Sequence, residues 1–375
     1  MIAFSKQCAA DLELSFIEDS LKGDTAGGGK YTSLCEEILL DQINESEEVI
    51  LTTSCTHALE ISAILLDLKE GDEVIFPSFT FTSTALAFVQ HGATPIFCDI
   101  KLNDFNIDED KLESLITNKT KAIVAVHYGG FACNLKKLVE IAKKNNIVLI
   151  EDNAHGFLAS DSQGPLGSQG DMSTLSFHST KNLSCGEGGA LFINNAKFLG
   201  RAKIIAEKGT NRDAFFKGQV DKYNWLDKGS SYVLSDLNAA CLYGQLLRIE
   251  EIQNKRQRIW NSYYDGLKCH LDDLGINYPK LSKNIKHPAH LFYLRFSKNS
   301  QRDDFINFMR SRFVTTPFHY LPLHNSPFMK KFFPEHIFSC ENSEIVSKTI
   351  ARLPIFYDLS NDEVEHIINS IKEFK

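Results

Sequence analysis

The chain has 375 residues, 43% of them hydrophobic and 23% charged, with a formal net charge of −8. That is an ordinary globular composition without a Lys/Arg block, which argues against nucleic acid as a partner, and without a run near the roughly 20 apolar residues of a membrane span. The opening MIAFSKQCAADLE lacks the apolar stretch of an export signal, and the nine cysteines, odd in number and without a CxxC pair, read as reduced thiols, so a cytoplasmic protein is expected.

Taken in chain order, GGG at 27–29 followed by Lys30 invites a phosphate-loop reading. It fails, because Asp24 stands where the first glycine belongs and Tyr31 where a magnesium-binding hydroxyl should be. SCTHALEISAILL (54–66) begins with Ser54 as a candidate N-cap and continues as an apolar-faced helix. Four strands are then expected in GDEVIFPS (71–78), TPIFCDI (94–100), KAIVAVHYGG (121–130) and IVLIEDNA (147–154). Between the last two, LKKLVEIAKKNN (135–146) sets Leu135, Leu138, Val139 and Ala142 on one helix face. TLSFH (174–178) and GALFIN (189–194) close the series. Alternating strands and helices predict an α/β fold, with a mostly parallel sheet covered on both faces within about residues 30–245. From 247 onward a long amphipathic helix precedes LFYLRF (291–296), DDFINFMRSRF (303–313) and DEVEHIINSIKEF (362–374). The expected division is therefore a large domain, 1–246, and a connecting helix with a small α+β domain, 247–375.

Three segments carry chemistry. Asp152 ends the apolar run IVLIED, where parallel sheets place ligand-binding groups, and a carboxylate there needs a cation or several donors. A structural ion pair would meet that need; so would a protonated pyridine nitrogen. Lys181 lies in SFHSTKNLSCGEGG (176–189), among the hydroxyls of Ser176, Ser179, Thr180 and Ser184. A lysine desolvated there has a lowered pKa and can condense with a carbonyl, and the neighbouring hydroxyls and glycines suit a phosphate. The helix start at Ser54–Thr56 offers amides to a phosphate, or is a capped helix and nothing more.

Together with HYLPLH (319–324) and RLPIFYDLS (352–360), these segments resemble the DegT/DnrJ/EryC1/StrS family of sugar aminotransferases nearly from end to end. The resemblance implies fold type I, pyridoxal 5′-phosphate as cofactor, L-glutamate as amino donor and a homodimer with shared sites. It gives Lys181 the role of carrying the cofactor and Asp152 that of pairing with its ring nitrogen. His155 would bond the ring's phenolic oxygen and Phe81 stack on the ring; Cys55, Thr56 and Ser176 would hold the phosphate. Ser231 falls where many relatives supply an asparagine from the neighbouring subunit. Substrate contacts would come from Arg212, His319, Tyr320 and His324. The two histidines of HYLPLH lack a carboxylate or cysteine at ligand spacing, so no metal is expected. EKGTNRDAFFKGQVDKYNWLDKGSSY (207–232) resembles the subgroup that forms dTDP-4-amino-4,6-dideoxy-D-galactose, used in enterobacterial common antigen, from dTDP-4-dehydro-6-deoxy-D-glucose. Two alternatives stay open: an aminotransferase of 3-keto nucleotide sugars, and a non-catalytic regulatory protein of the same fold. A related 3-dehydratase carries His where Lys181 stands, which argues against that activity.

Overall fold

A computed structural model describes residues 1–8, 11–43, 46–280 and 285–374. Its central sheet contains β1 (Glu48–Thr52), β2 (Glu73–Pro77), β3 (Thr94–Cys98), β4 (Thr120–Val126), β5 (Val148–Asp152), β8 (Met172–Ser176) and β9 (Gly189–Ile193). Two-residue strands β6 (Ser160–Asp161) and β7 (Gly164–Pro165) form a separate hairpin, and β10 (Phe292–Arg295) pairs with β11 (Ile350–Leu353). The order across the large sheet is β1-β9-β8-β5-β4-β2-β3. Its strands are parallel except β9, which runs against both β8 and β1. The α/β reading thus holds. The sheet also includes β1, a strand beyond those expected from 71 onward, in the run EVILT.

Helices cover both faces, and their apolar spacing explains where they pack. The helix Leu135–Asn145 is capped by the Asn134 side chain, which accepts from the Lys137 N–H, and ends at Asn146 in the left-handed region. Its buried residues are Leu135, Leu138, Ile141 and Ala142; Ile141 takes the inner position, and Val139 is only partly covered. Ile249–Asp273 is a helix of 25 residues whose buried Ile252, Ile259, Trp260, Tyr263, Leu267 and Leu271 mark one stripe. From Ile259 onward that stripe forms a second core with β10, β11 and the helix Asn361–Glu373, which starts in a Ser360–Glu363 capping box, while Ile252 packs with the sheet. Among the described residues no helix is long and apolar enough to cross a membrane.

Two segments tie the second core to the sheet. Residues 323–340 return to the sheet's own core through Leu323, Met329, Phe333 and Cys340. Beside them the buried Asp99 carboxylate, just after β3, accepts from the N–H groups of Asn342 and Ser343 at 3.0 and 2.9 Å. The N-terminal segment exchanges main-chain bonds between Ile2 and residues Phe313 and Thr315. This lays Phe4 beside the Arg352 guanidinium, 4.4 Å from its ring centre.

Candidate active site

The C-terminal ends of β4, β5 and β8 open onto one cavity of about 890 Å³, whose wall includes Val126, Asp152 and Ser176. Ligand sites lie at this end of parallel strands because the chain there leaves the sheet for loops and helix starts. The helices Cys55–Leu65 and Thr82–Val89 begin at the same cavity, and the Thr56 hydroxyl donates to Ser83 at 2.8 Å to join them. Ser54 caps the first by accepting from His57 N–H at 3.1 Å, while the first-turn amides of Cys55 and Thr56 have no acceptor within the helix. The glycine run of GEGG is explained here: a Cβ on Gly189 would collide with the backbone of Ser54 and Cys55. The close approach of β9 to this helix start requires that glycine.

Asp152 is buried, and its carboxylate accepts from the Thr84 hydroxyl at 2.7 Å and the Ala154 N–H at 3.2 Å. No lysine or arginine pairs with it among the described residues, so an anion sits desolvated with two neutral donors. Lys181 lies on the same cavity, and its amine likewise has no ion pair among the described residues. Burial lowers its pKa to about 8 against the opposing pull of Cys55 and Asp152. A buried carboxylate wanting a cation and a poorly solvated amine wanting an electrophile share one chamber. Those needs match a pyridoxal phosphate: ring nitrogen for the first, aldehyde for the second.

The remaining expected residues divide. Cys55, Thr56, Phe81, His155, Ser176, His319 and Tyr320 all line the cavity with Lys181. His155 accepts from Gly129 N–H at its Nδ1 and bonds the Tyr320 hydroxyl through Nε2 at 3.1 Å. His319 bonds the Tyr128 hydroxyl at 2.7 Å and stacks on Tyr320 at 3.6 Å between ring centres. Burial holds both histidines well below the usual imidazole range. Arg212 and Ser231 instead line a neighbouring cavity of about 610 Å³, in which Arg212 pairs with Glu207 at 3.2 Å. Glu187 borders both chambers. His324 is not among the residues that line the cavity with Lys181. It bonds the Ser78 hydroxyl at 2.6 Å and faces Glu344 at 3.4 Å, so its place is structural, against the substrate role expected for it.

The structure adds residues to this set. Arg352, from β11, lines the cavity, donates to the Phe318 carbonyl at 2.8 Å and has no carboxylate partner among the described residues. Its Nε is buried without an acceptor, and its charge helps to push His155, His319 and Lys181 toward their neutral forms. His290 stacks on His155 at 4.4 Å. Both lie more than a hundred residues from Lys181 in sequence, and only RLPIFYDLS carried a hint of the arginine.

The sequence profile of the DegT/DnrJ/EryC1/StrS aminotransferase family matches residues 7–372. The chain belongs to that family. As a member of it, the protein is an aminotransferase that uses pyridoxal phosphate. It is 31% identical to the uncharacterized protein MJ1066 of Methanocaldococcus jannaschii, over 98% of this chain and 96% of that one. It is 29% identical to the spore coat polysaccharide biosynthesis protein SpsC of Bacillus subtilis, over 88% of this chain and 85% of that one. The solved structure of the putative sugar aminotransferase Spr1654 from Streptococcus pneumoniae, in its PMP form, superposes with a TM-score of 0.90 at 25% identity. That match covers 99% of this chain and 98% of the other.

Proposed function

We propose that this aminotransferase moves the amino group of L-glutamate to C4 of dTDP-4-dehydro-6-deoxy-D-glucose, giving dTDP-4-amino-4,6-dideoxy-D-galactose. The observation that carries an amino transfer is the Lys181 amine sharing a chamber with the Asp152 carboxylate, neither of them ion-paired among the described residues. A sugar as acceptor is supported by the names of the relatives above, and the 4-keto form by residues 207–232.

Bound there, the cofactor would supply a carbonyl to receive the amino group and a ring that stabilises negative charge at the substrate carbon. Lys181 would hold it and then carry the proton to and from the reacting carbon. Asp152 would keep the ring nitrogen protonated, with Thr84 fixing the carboxylate's direction. Cys55 and Thr56 amides and the Ser176 hydroxyl would receive the phosphate, and Phe81 would lie against the ring. His155, neutral, would turn its Nε2–H from the Tyr320 hydroxyl to the phenolic oxygen. Arg352, which has no carboxylate partner among the described residues, would take a carboxylate of the amino donor. His319 and Tyr320 would border the sugar. Arg212 and Ser231, in the adjoining chamber, would serve the site of a second subunit in a homodimer, Arg212 meeting the diphosphate.

The test is incubation with pyridoxal phosphate, L-glutamate and a panel of nucleotide keto-sugars, with the product resolved by NMR. The 4-amino galacto sugar is expected. Turnover of a 3-keto substrate alone would replace this reading with its C3 counterpart. Lys181→Ala should abolish visible cofactor absorbance and turnover while circular dichroism stays unchanged; retained turnover would refute the assignment.

A further inference from the structure

The stacked pair His155–His290 is wired to its surroundings in opposite senses. The Gly129 N–H points at His155 Nδ1 at 3.3 Å, which leaves the ring proton on Nε2. His290 faces Asn182, next in sequence to Lys181, with its Nδ1 2.9 Å from Asn182 Oδ1. The Asn182 amide is not free to flip, since its Nδ2 donates to the Pro288 carbonyl at 2.7 Å. An amide oxygen at that place obliges His290 to carry its proton on Nδ1, so its Nε2 is a bare lone pair. Arg256, donating to the His290 carbonyl at 2.8 Å, fixes the backbone behind the ring. His290 lines the cavity, and no protein donor among the described residues reaches its Nε2.

We propose that His290 Nε2 is a specificity-determining acceptor that takes a hydrogen bond from a ring hydroxyl of the sugar, beside the Nε2 donor of His155. Burial is the main reason His290 stays neutral, and the nearby positive charges of Lys181 and Arg256 act in the same direction. The same field disfavours an ammonium at this position. The group it accepts from is therefore a neutral donor, and a sugar presents several. The inference rests on the acceptor being a sugar, as proposed above, and assigns that sugar a contact beyond those with His319 and Tyr320.

The test is calorimetric binding of dTDP-6-deoxy-D-glucose, an unreactive 4-hydroxy counterpart of the substrate, to the protein loaded with pyridoxamine phosphate. His290→Phe keeps an aromatic ring against His155 but has no lone pair. It should weaken binding about ten- to hundredfold, the loss expected of one hydrogen bond whose donor is left unpaired. His290→Gln, which can place an amide oxygen near the Nε2 position, should recover most of that loss. Either the 2-deoxy or the 3-deoxy analogue should bind wild type and His290→Phe equally. Affinity for pyridoxal phosphate, read by absorbance, and reduction of that absorbance by L-glutamate should change less than about threefold, within the reach of a packing change alone.

Equal sugar affinity in wild type and His290→Phe would overturn the assignment while leaving the amino-transfer reading intact. So would a parallel loss of cofactor affinity in both variants, which would make the ring a packing element. If wild type reacts with L-glutamate but binds no sugar nucleotide, both the acceptor class and this contact fall.

Discussion

At the scale of single residues, the proposed chemistry turns on a Lys181 ammonium that gives up hydration and finds no carboxylate bonded to it among the described residues. Burial brings its pKa to about 8, so near neutral pH a useful fraction of the amine is unprotonated. An ordinary lysine titrates near pH 10.4. Attachment of pyridoxal phosphate to the cofactor-free protein should therefore quicken about tenfold per pH unit below 8 and level off above it. Stopped-flow absorbance would measure this, and a rate still climbing steeply past pH 9.5 would show the amine to be unperturbed. Lys181 and Asp152 were legible in the sequence because each ends or follows a short apolar strand, a place where an ionisable group is out of keeping with its neighbours. Arg352 and His290 were not. Their importance comes from what lies across the cavity, and a local pattern carries no record of that. His324 differs again: His319 and Tyr320 of its motif line the chamber, while its own side chain bonds Ser78 and faces Glu344.

Single elements decide which way those residues point. At the end of β5 the strand's alternation sends Asp152 into the cavity and Glu151 to the other side. There Glu151 is fully buried and accepts from His127 Nε2 and from the N–H groups of Gly167, Gln169 and Gly170. Burial favours its protonated form, but the His127 bond and these amides outweigh that and hold its pKa below the usual carboxylate range. A depressed carboxylate contributes stability above its unfolded pKa, near 4.3, which is lost as pH falls through the lower folded value. Glu151→Ala should cost about 3–5 kcal/mol of folding free energy, as for a broken buried ion pair, and should flatten the acid limb of the stability curve. Denaturant titration at several pH values would show it, and a loss under about 1 kcal/mol would mean that water replaces the carboxylate. The pattern of strands from 71 onward could be read because parallel strands buried on both faces are continuous apolar runs. β1 escaped notice although EVILT is of the same kind. The antiparallel sense of β9 escaped because strand direction is a property of the connection rather than of the strand.

On the scale of the whole molecule, Arg212 and Ser231 lie in a chamber next to, rather than with, Lys181. If a second subunit brings them to its partner's Lys181, two defective variants can repair each other. Mixing inactive Lys181→Ala and Arg212→Ala chains under conditions that exchange subunits should restore about a quarter of wild-type activity, since half the dimers are mixed and each has one intact site. Absence of recovery, with exchange verified by mass spectrometry, would place Arg212 in the service of its own chain. The Asp99 clasp has a different reach. β3 is a terminal strand of the large sheet, and among the described residues one side of its hydrogen-bonding ladder has no strand beside it. Asp99 pins the start of the helix Glu341–Thr349 next to it, and the Cys340 thiol reaches the Phe97 carbonyl at 3.9 Å. What looks like a latch for the C-terminal region is thereby also a guard: a chain whose latch is open would present a bare strand to which another molecule's strand could add, and self-association would then precede unfolding.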